Sequence, residues 1–579
     1  MKKLWLIIMA AMLFTSCDKL LEESPDYSVN STNVFDNATT TQTALNACYG
    51  YLFTWNVYGQ AYFELTLGAS GLSWGQTNGS DQDYLTSLNT LNSNGTLGQV
   101  WTGLYRAIGE CNSFVQNVQG GSLTDDQKNF YAAQARFIRG LCYYNLAGIF
   151  GDVPLRISAS DVDSLNMART PVADVYNQVA TDWKFAAQYL PGELTSDQAS
   201  YSMPTKYTAF AYLAKLYWML GSKENSSSSP NWAIAKAYGD SVLNAGVYAL
   251  ESNYNNLFVT GTNSTKESIF KLNVSLNLNG EGSRISWLFG PYGSTTGISW
   301  ARYRPSKAFY NWFKGSYPDD PRLKVAFENQ YTTLSNGNKN YAYPLISYTE
   351  TIDGVKTKVV DSLDYSQLAD PTNPTVAEIT AQNAQFATIW TASTGVNEGW
   401  PYYAKYIDPN ATAQLGNKQI LVYRYADFLL LMADVNNELG NTATAVSLIN
   451  QVLTRARNSA TPAATYPANV SGSIAQSALR DKIFFERLFE LAGEPDNFYD
   501  VRRRGVDYFK KVLERNNNDH ITAAFAGNSA VSLNTYKDRV FNNGTLTDDF
   551  LKKNLLEPIP QTELNTNTQI TAADQNYGY

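Results

Sequence analysis

Residues 124–155 read TDDQKNFYAAQARFIRGLCYYNLAGIFGDVPL, and the fold is decided there. Thr124 is a good N-cap and Gln127 stands three residues on, so the pair can close a capping box over a first turn that also carries Asp125 and Asp126. Phe137, Leu141, Tyr144 and Gly148 recur at helical spacing on one face. Ile138, Cys142, Leu146 and Ile149 make most of the remaining surface apolar, so the helix has to be enclosed by other helices. Gly151 suits a left-handed C-terminal residue, and Pro154 stops the helix from resuming, so the chain leaves as extended Asp152-Val153-Pro154-Leu155.

Working outward, residues 37–54 repeat the pattern through Leu45, Cys48 and Leu52. Residues 97–118 repeat it through Leu97, Trp101, Leu104, Ile108, Cys111, Val115 and Val118. The segment between them, LTLGASGLSWGQTNGSDQDYLTSLNTLNSNG, has no sustained period and reads as a long loop, at about 64–96. On the other side, Thr170 as cap and Pro171 as first residue begin a helix through Val175, Val179, Trp183, Ala186 and Leu190. A helix from near Pro204 runs to Gly221, and its partner carries Ala235, Tyr238 and Val242. Helices of this length, joined by short turns and interleaving alanine with large aromatics, suggest pairs stacked like tetratricopeptide repeats. From 247 to 420 the helical period fades, and Ser268 to Leu272 and Lys356 to Val360 read as strands. Helices return at 420–440, 441–457 and Ile474 to Ala492. The predicted fold is mostly α, a tetratricopeptide-like scaffold of helical pairs with a large loop-rich, partly β insertion. The expected divisions are 1–16, 17–36, 37–246, 247–420 and 421–579.

Lys2-Lys3, an apolar run from Leu4 to Phe14 and Thr15-Ser16 before Cys17 read as an export signal too short to span a bilayer. Small residues before a cysteine resemble the bacterial lipobox, in which Cys17 is acylated and residues 17–36 form a tether; the other reading is an ordinary secretory signal. The formal charge falls from −8 to −10 when Lys2 and Lys3 leave, which disfavours nucleic acid as a partner. Cys48, Cys111 and Cys142 lie on apolar helical faces without CxxC spacing and read as packing residues. His520 is the sole histidine, so a His-based metal site or a Ser-His-Asp triad has almost nothing to be built from. Asp81/Asp83, Asp161/Asp163 and Asp319/Asp320 complete neither an EF-hand nor a glycosidase pattern and read as solvated loop acids. Arg502-Arg503-Arg504 reads as a solvated, helix-terminal or salt-bridged run.

Five stretches carry a resemblance. ARFIRGLCYYNLAGIFGDVPL, PDDPR at 318–322, VYRYADFLLLMADVNNELG, ERLFELAGEPDNFYDVRRRG and LLEPIPQTEL are similar, in this order, to motifs of the SusD/RagB family of outer-membrane nutrient-binding lipoproteins. Glu494-Pro495-Asp496-Asn497 departs from the family's Glu-Gly turn followed by an arginine. The resemblance implies a SusD-like α/α superhelix, surface-exposed and lipid-anchored at the outer membrane. Such a protein binds oligo- or polysaccharide and delivers it to a SusC-like TonB-dependent transporter, without covalent chemistry, cofactor or metal. A peptide-binding member of the same family and, in a different class, a glycan-degrading enzyme are the rival readings.

The aromatic content, 12 Trp, 39 Tyr and 26 Phe, calls for an explanation beyond packing. Trp101, Trp183, Trp218 and Trp232 sit within apolar helical faces and read as core. Trp55, Trp74, Trp287, Trp300, Trp312, Trp390 and Trp400 lie at helix ends or in loops, where packing explains an exposed ring less well. A sugar presents an apolar C–H face and a rim of hydroxyls, so its receptor wants a flat ring with amide, carboxylate or guanidinium groups beside it. Three stretches offer this, against burial or a partner interface as the alternative: Trp74 with Asn78 and Asp81, its ring left uncrowded by neighbouring glycines; Arg284 through Trp287 to Tyr292; and Trp300-Ala301-Arg302-Tyr303.

Overall fold

The computed structural model describes residues 33–75, 81–159, 166–194, 202–259, 266–273, 283–291, 293–294, 299–342, 345–352, 355–362, 397–398, 401–412, 415–516 and 546–579, with the strands at 345–352, 355–362 and 397–398 described by backbone alone for most positions. Cys17, Asn78, Asp161, Asp163, Tyr292, Trp390, Trp400 and His520 lie outside the described residues.

The scaffold is a run of helices, each packed on the next. Helix α1 (Ala38–Phe53) lies against α4 (Gly95–Gly120), α4 against α5 (Asp125–Phe150), α5 against α6 (Val172–Tyr189), α6 against α7 (Lys206–Glu224), and α7 against α8 (Asn231–Ala245). The run continues across the insertion: α8 contacts α12 (Tyr425–Glu438), which packs on α13 (Thr442–Asn458) and α14 (Gln476–Glu490). This is the mostly helical superhelix that the periodicity predicts.

Helix α5 starts with the predicted box, the Thr124 side chain accepting from Gln127 N while Gln127 caps Thr124 in return, and Gly151 ends it at φ +74°. At Gly148 a Cβ would stand 2.5 Å from Tyr499 Cε1, so this position admits no side chain unless the ring moves. Gly148→Leu should lower stability by about 1–3 kcal/mol through overpacking. An unchanged denaturant midpoint would show that Tyr499 swings aside freely. Helix α6 starts one residue later than predicted: Pro171 occupies the cap position, and Asp152, from the extended stretch after α5, accepts from Val172 N at 2.8 Å. Thr170 instead bridges Val153 through the backbone.

Two regions depart from the sequence reading. The loop predicted at 64–96 holds helix α2 (Ala61–Gly68), strand β1 (Ser73–Gly75) and the short helix α3 (Asp81–Thr86). Every residue of α2 is buried, so it has no solvent-facing side and left no period to read. Residues 420–424 are strand and not helix: β2 (Ser268–Leu272) and β11 (Ile420–Arg424) pair antiparallel, Leu272 opposite Ile420 and Ser268 opposite Arg424, closing the two ends of the insertion together. Ile, Val and Tyr favour the pleated partner that SIFKL supplies. Within the insertion β7 (Leu345–Ile352) and β8 (Val355–Ser362) form a hairpin that includes the strand expected at 356–360.

Of the readings open for the arginine run, helix-terminal and salt-bridged hold and solvated does not. Arg502, Arg503 and Arg504 are buried. Arg503 Nη1 donates to Asp434 Oδ2 and Arg504 Nη2 to Asp434 Oδ1 and Glu438 Oε1, while Arg502 Nε and Nη2 reach the carbonyls of Asn554 and Ala69. Asp320 is buried as well, held by Arg322, and exposed Asp319 accepts from the backbone N–H groups of Thr465 and Tyr466. An unpaired buried charge would be far costlier than any of these pairs, so such side chains enter the interior only with their counter-ions. Cys48, Cys111 and Cys142 are buried and free.

A ledge of indole and guanidinium groups as candidate functional site

Trp74 and the two stretches that begin at Arg284 and Trp300, more than 200 residues further along the sequence, meet in space. Strand β1 pairs antiparallel with β3 (Tyr303–Pro305), placing Trp74 opposite Arg304 and Gly75 opposite Tyr303. The short helix α9 (Ile285–Phe289) lies alongside the residues before β3, Trp300 N donating to Trp287 O and Arg302 N to Leu288 O, both at 2.8 Å. Between these bonds Ala301 takes φ +48°, a left-handed backbone that a non-glycine residue seldom adopts. The kink leaves Trp300 facing out while Ala301 itself is buried. Arg284 N donates to Gly59 O at 3.1 Å and so ties the start of α9 to the turn between α1 and α2, which carries Trp55.

The result is a row of three rings with a cation over each of the outer two. The Arg284 guanidinium carbon lies 3.1 Å from the centre of the Trp55 ring and 5.4 Å from that of Trp287. Trp287 and Trp300 have centroids 4.0 Å apart at 42°, and Arg302 lies 4.2 Å over Trp300 and 5.8 Å from Trp287. Trp55 and Trp300 are each 41% exposed, whereas Trp287 is 3% exposed and forms the floor between them. Two exposed indoles on one structure are where a flat apolar face can be bound, and the guanidinium groups beside them supply donors for its polar rim.

Helix α2 supplies the polar wall. Arg302 Nη1 donates to Glu64 Oε1 at 3.0 Å, Gln60 Nε2 to the same oxygen at 3.3 Å, and Thr96 Oγ1 to Glu64 Oε2 at 3.3 Å; Arg284 Nη1 donates to Gln60 Oε1 at 3.3 Å. Burial lowers the Arg284 guanidinium from its ordinary value, Glu64 opposing this and Arg302 adding to it. Tyr303 lies wholly beneath the ledge; burial pushes its hydroxyl well up, and Glu64 pushes it further.

Other candidates are placed differently. Trp74 is 7% exposed, under Arg304 in the β1–β3 ribbon, so its neighbouring glycines do not leave the ring open. Trp312 is 5% exposed and packs edge-on against Phe485 and Phe489. Asp81 Oδ2 accepts from Gly95 N at 2.8 Å, which spends that oxygen on the start of α4. Trp55, not singled out as a site residue from sequence, is the third ring of the ledge. Its position at a helix end was the available signal, and the arginine lying over it comes from a segment 229 positions away. Among the described residues no group of three or more His, Cys, Asp or Glu side chains is placed to hold a metal ion. No described helix is long and apolar enough to cross a membrane.

Comparison with known proteins agrees with this architecture. The family described as SusD family matches residues 266–579, and a second, described as starch-binding associating with outer membrane, matches residues 19–218. The chain is 27% identical over 504 residues to SusD-like protein P2 of Formosa agariphila, covering 83% of this chain and 87% of that one. Among solved structures, a SusD homolog from Bacteroides thetaiotaomicron superposes with a TM-score of 0.70 at 20% identity, covering 95% of this chain and 98% of the other. Surface glycan-binding protein A from the same organism, solved in complex with laminarihexaose, superposes with a TM-score of 0.62 at 17% identity, covering 93% and 99%. With a match through more than half of its length and the helical superhelix common to these structures, this chain belongs to the SusD family.

Proposed function

We propose that the protein is a non-enzymatic glycan receptor of the outer-membrane surface that stacks an oligo- or polysaccharide on the Trp55–Trp287–Trp300 ledge and passes it to a SusC-like TonB-dependent transporter. The observation that carries this reading is the pair of exposed indoles beside a buried third ring, with a guanidinium group over each exposed one. The laminarihexaose bound by a structural relative supports glycan as the ligand class. In this reading residues 1–16 are the export signal, Cys17 is acylated and 17–36 tether the body to the lipid surface. The helices of 37–246 and 421–579 form the scaffold, and the 247–420 segment sets Trp287 and Trp300 beside Trp55 of that scaffold. Asn78 and Tyr292, outside the described residues, are proposed as further contacts, with Trp74, Asp81 and Tyr303 supporting the ledge.

Loss of one stacking ring at a binding hot spot costs about 1–3 kcal/mol, or about five- to 150-fold in affinity. Affinity electrophoresis of purified protein through gels containing individual glycans should therefore show a retarded band for the wild type, with Trp300→Ala and Trp55→Ala each running markedly faster in the same gel. Equal retardation of wild type and both variants would remove the ledge from the binding site. New reducing ends appearing in the glycan would speak for an enzyme.

A further inference from the structure

We infer that the glycan recognised by this ledge is acidic, carrying carboxylate or sulfate-ester groups that sit against Arg284 and Arg302. The inference rests on the ledge being the glycan platform, and it follows from the balance of charges and of donors there. Two guanidinium groups interleave with the rings, and among the described residues Glu64 is the acid that faces both; Gln60, the other polar group of the wall, is neutral. Among the described residues the ledge therefore holds one positive charge in excess, on a chain whose formal charge is −8. The donors point the same way. A neutral sugar hydroxyl both gives and takes hydrogen bonds, so a site for neutral sugars is best served by acceptors as well as donors.

Here the wall's side-chain acceptors are already engaged: Glu64, almost wholly buried, receives Arg302, Gln60 and Thr96, and Gln60 Oε1 receives Arg284. A guanidinium donates and never accepts, and its planar fork matches the paired oxygens of carboxylate or sulfate. Arg284 and Arg302 each lie over an exposed indole, so they keep their place without a second carboxylate partner from the chain among the described residues. Burial, and the repulsion of one cation by the other, raise the cost of leaving Arg284 charged without an anion, and a bound anionic group would offset it.

Isothermal titration of purified protein with matched pairs of probes tests this: a neutral glucan, a polyuronate and a sulfated glucan, each at low and high ionic strength. The wild type is expected to bind one of the acidic probes at least about ten-fold more tightly than the neutral one, with that preference shrinking as salt screens it. Preference for the polyuronate alone identifies carboxylate, and for the sulfated probe alone sulfate ester. Arg284→Gln and Arg302→Gln should each weaken the acidic probe about ten- to a hundred-fold and barely change a neutral one, while Arg302→Lys, which keeps the charge, should retain most of the preference. Because Arg302 also holds Glu64, the salt dependence of the unaltered protein and Arg284→Gln stand as independent readouts. Tight binding of the neutral glucan, indifferent to salt and to both glutamine variants, would overturn the acidic ligand and leave the platform standing. Absence of binding to every probe would overturn both.

Discussion

Glu490→Gln is expected to destabilise the protein by about 3–5 kcal/mol, the loss associated with removing one partner from a buried ionic cluster. The Glu490 carboxylate has no solvent exposure and joins three parts of the chain. Oε2 accepts from Arg322 Nη1 at 2.8 Å, and Oε1 from Arg424 Nη1 at 3.0 Å and Arg455 Nη2 at 2.6 Å. Around it Arg424 also reaches Glu267 and Glu494, Lys405 reaches Glu494, and Arg322 reaches Asp320 and Glu486. This cluster fastens α14 to the end of β11 and to the short helix Arg322–Ala326 of the insertion, so it holds the insertion to the scaffold. Glutamine keeps the shape but removes the charge and turns an N–H group toward a guanidinium.

Acid sensitivity should follow from the same residue. Burial by itself raises the Glu490 carboxyl, yet Arg455, Arg424 and Arg322 hold it at about 2, below its ordinary 4.5. A folded-state value below the unfolded one stabilises the protein fully above about pH 4.5, and that stabilisation is lost as pH falls toward about 2. Urea unfolding across this window should show the wild type losing stability more steeply than the variant. Parallel acid slopes for the two proteins would mean that Glu490 is not the titrating group.

Arg139→Met is expected to have an effect of similar size in the helical half, about 3–5 kcal/mol. Arg139 Nε and Nη2 donate to Asp182 Oδ2 and Oδ1 at 2.8 and 2.6 Å, a fork joining α5 to α6, and Nη1 also serves Asn112 Oδ1 and Ile157 O. Methionine fills much of the volume and leaves Asp182, fully buried, with Gln178 Nε2 at 3.2 Å as its remaining hydrogen-bond donor. Burying a charge without its counter-ion is what makes the variant unstable. Replacing both members, Arg139→Met with Asp182→Leu, should recover most of the loss, since an apolar pair of similar volume is often neutral against a buried ion pair. A double variant no more stable than the single one would assign the loss to packing.

Much of the scaffold was legible because its instructions are local. The Thr124–Gln127 box, Gly151 and the recurrence of Phe137, Leu141 and Tyr144 act within a few residues of one another, and each is found where the sequence places it. Local reading failed where burial was complete or pairing was distant. Helix α2 has no solvent-facing side to mark it, and 420–424 became strand on meeting residues 268–272. Arg502 to Arg504, polar by composition, are drawn inside by Asp434, Glu438 and backbone carbonyls from elsewhere in the chain.

The same division runs through the candidate site. Sequence alone identified which tryptophans helical packing left unexplained and that arginines stood near them, because residue type and spacing carry that information. Only the tertiary structure decided which of those rings face outward. Trp74 is covered once β1 finds β3, and Trp312 once Phe485 and Phe489 arrive, whereas Trp55 and Trp300 stay open because the segments laid over them contribute guanidinium groups at their faces and leave two-fifths of each residue exposed. Exposure belongs to whatever distant chain lies across a ring, and hydrophobic burial, being non-directional, writes no trace of that neighbour beside the ring in the sequence.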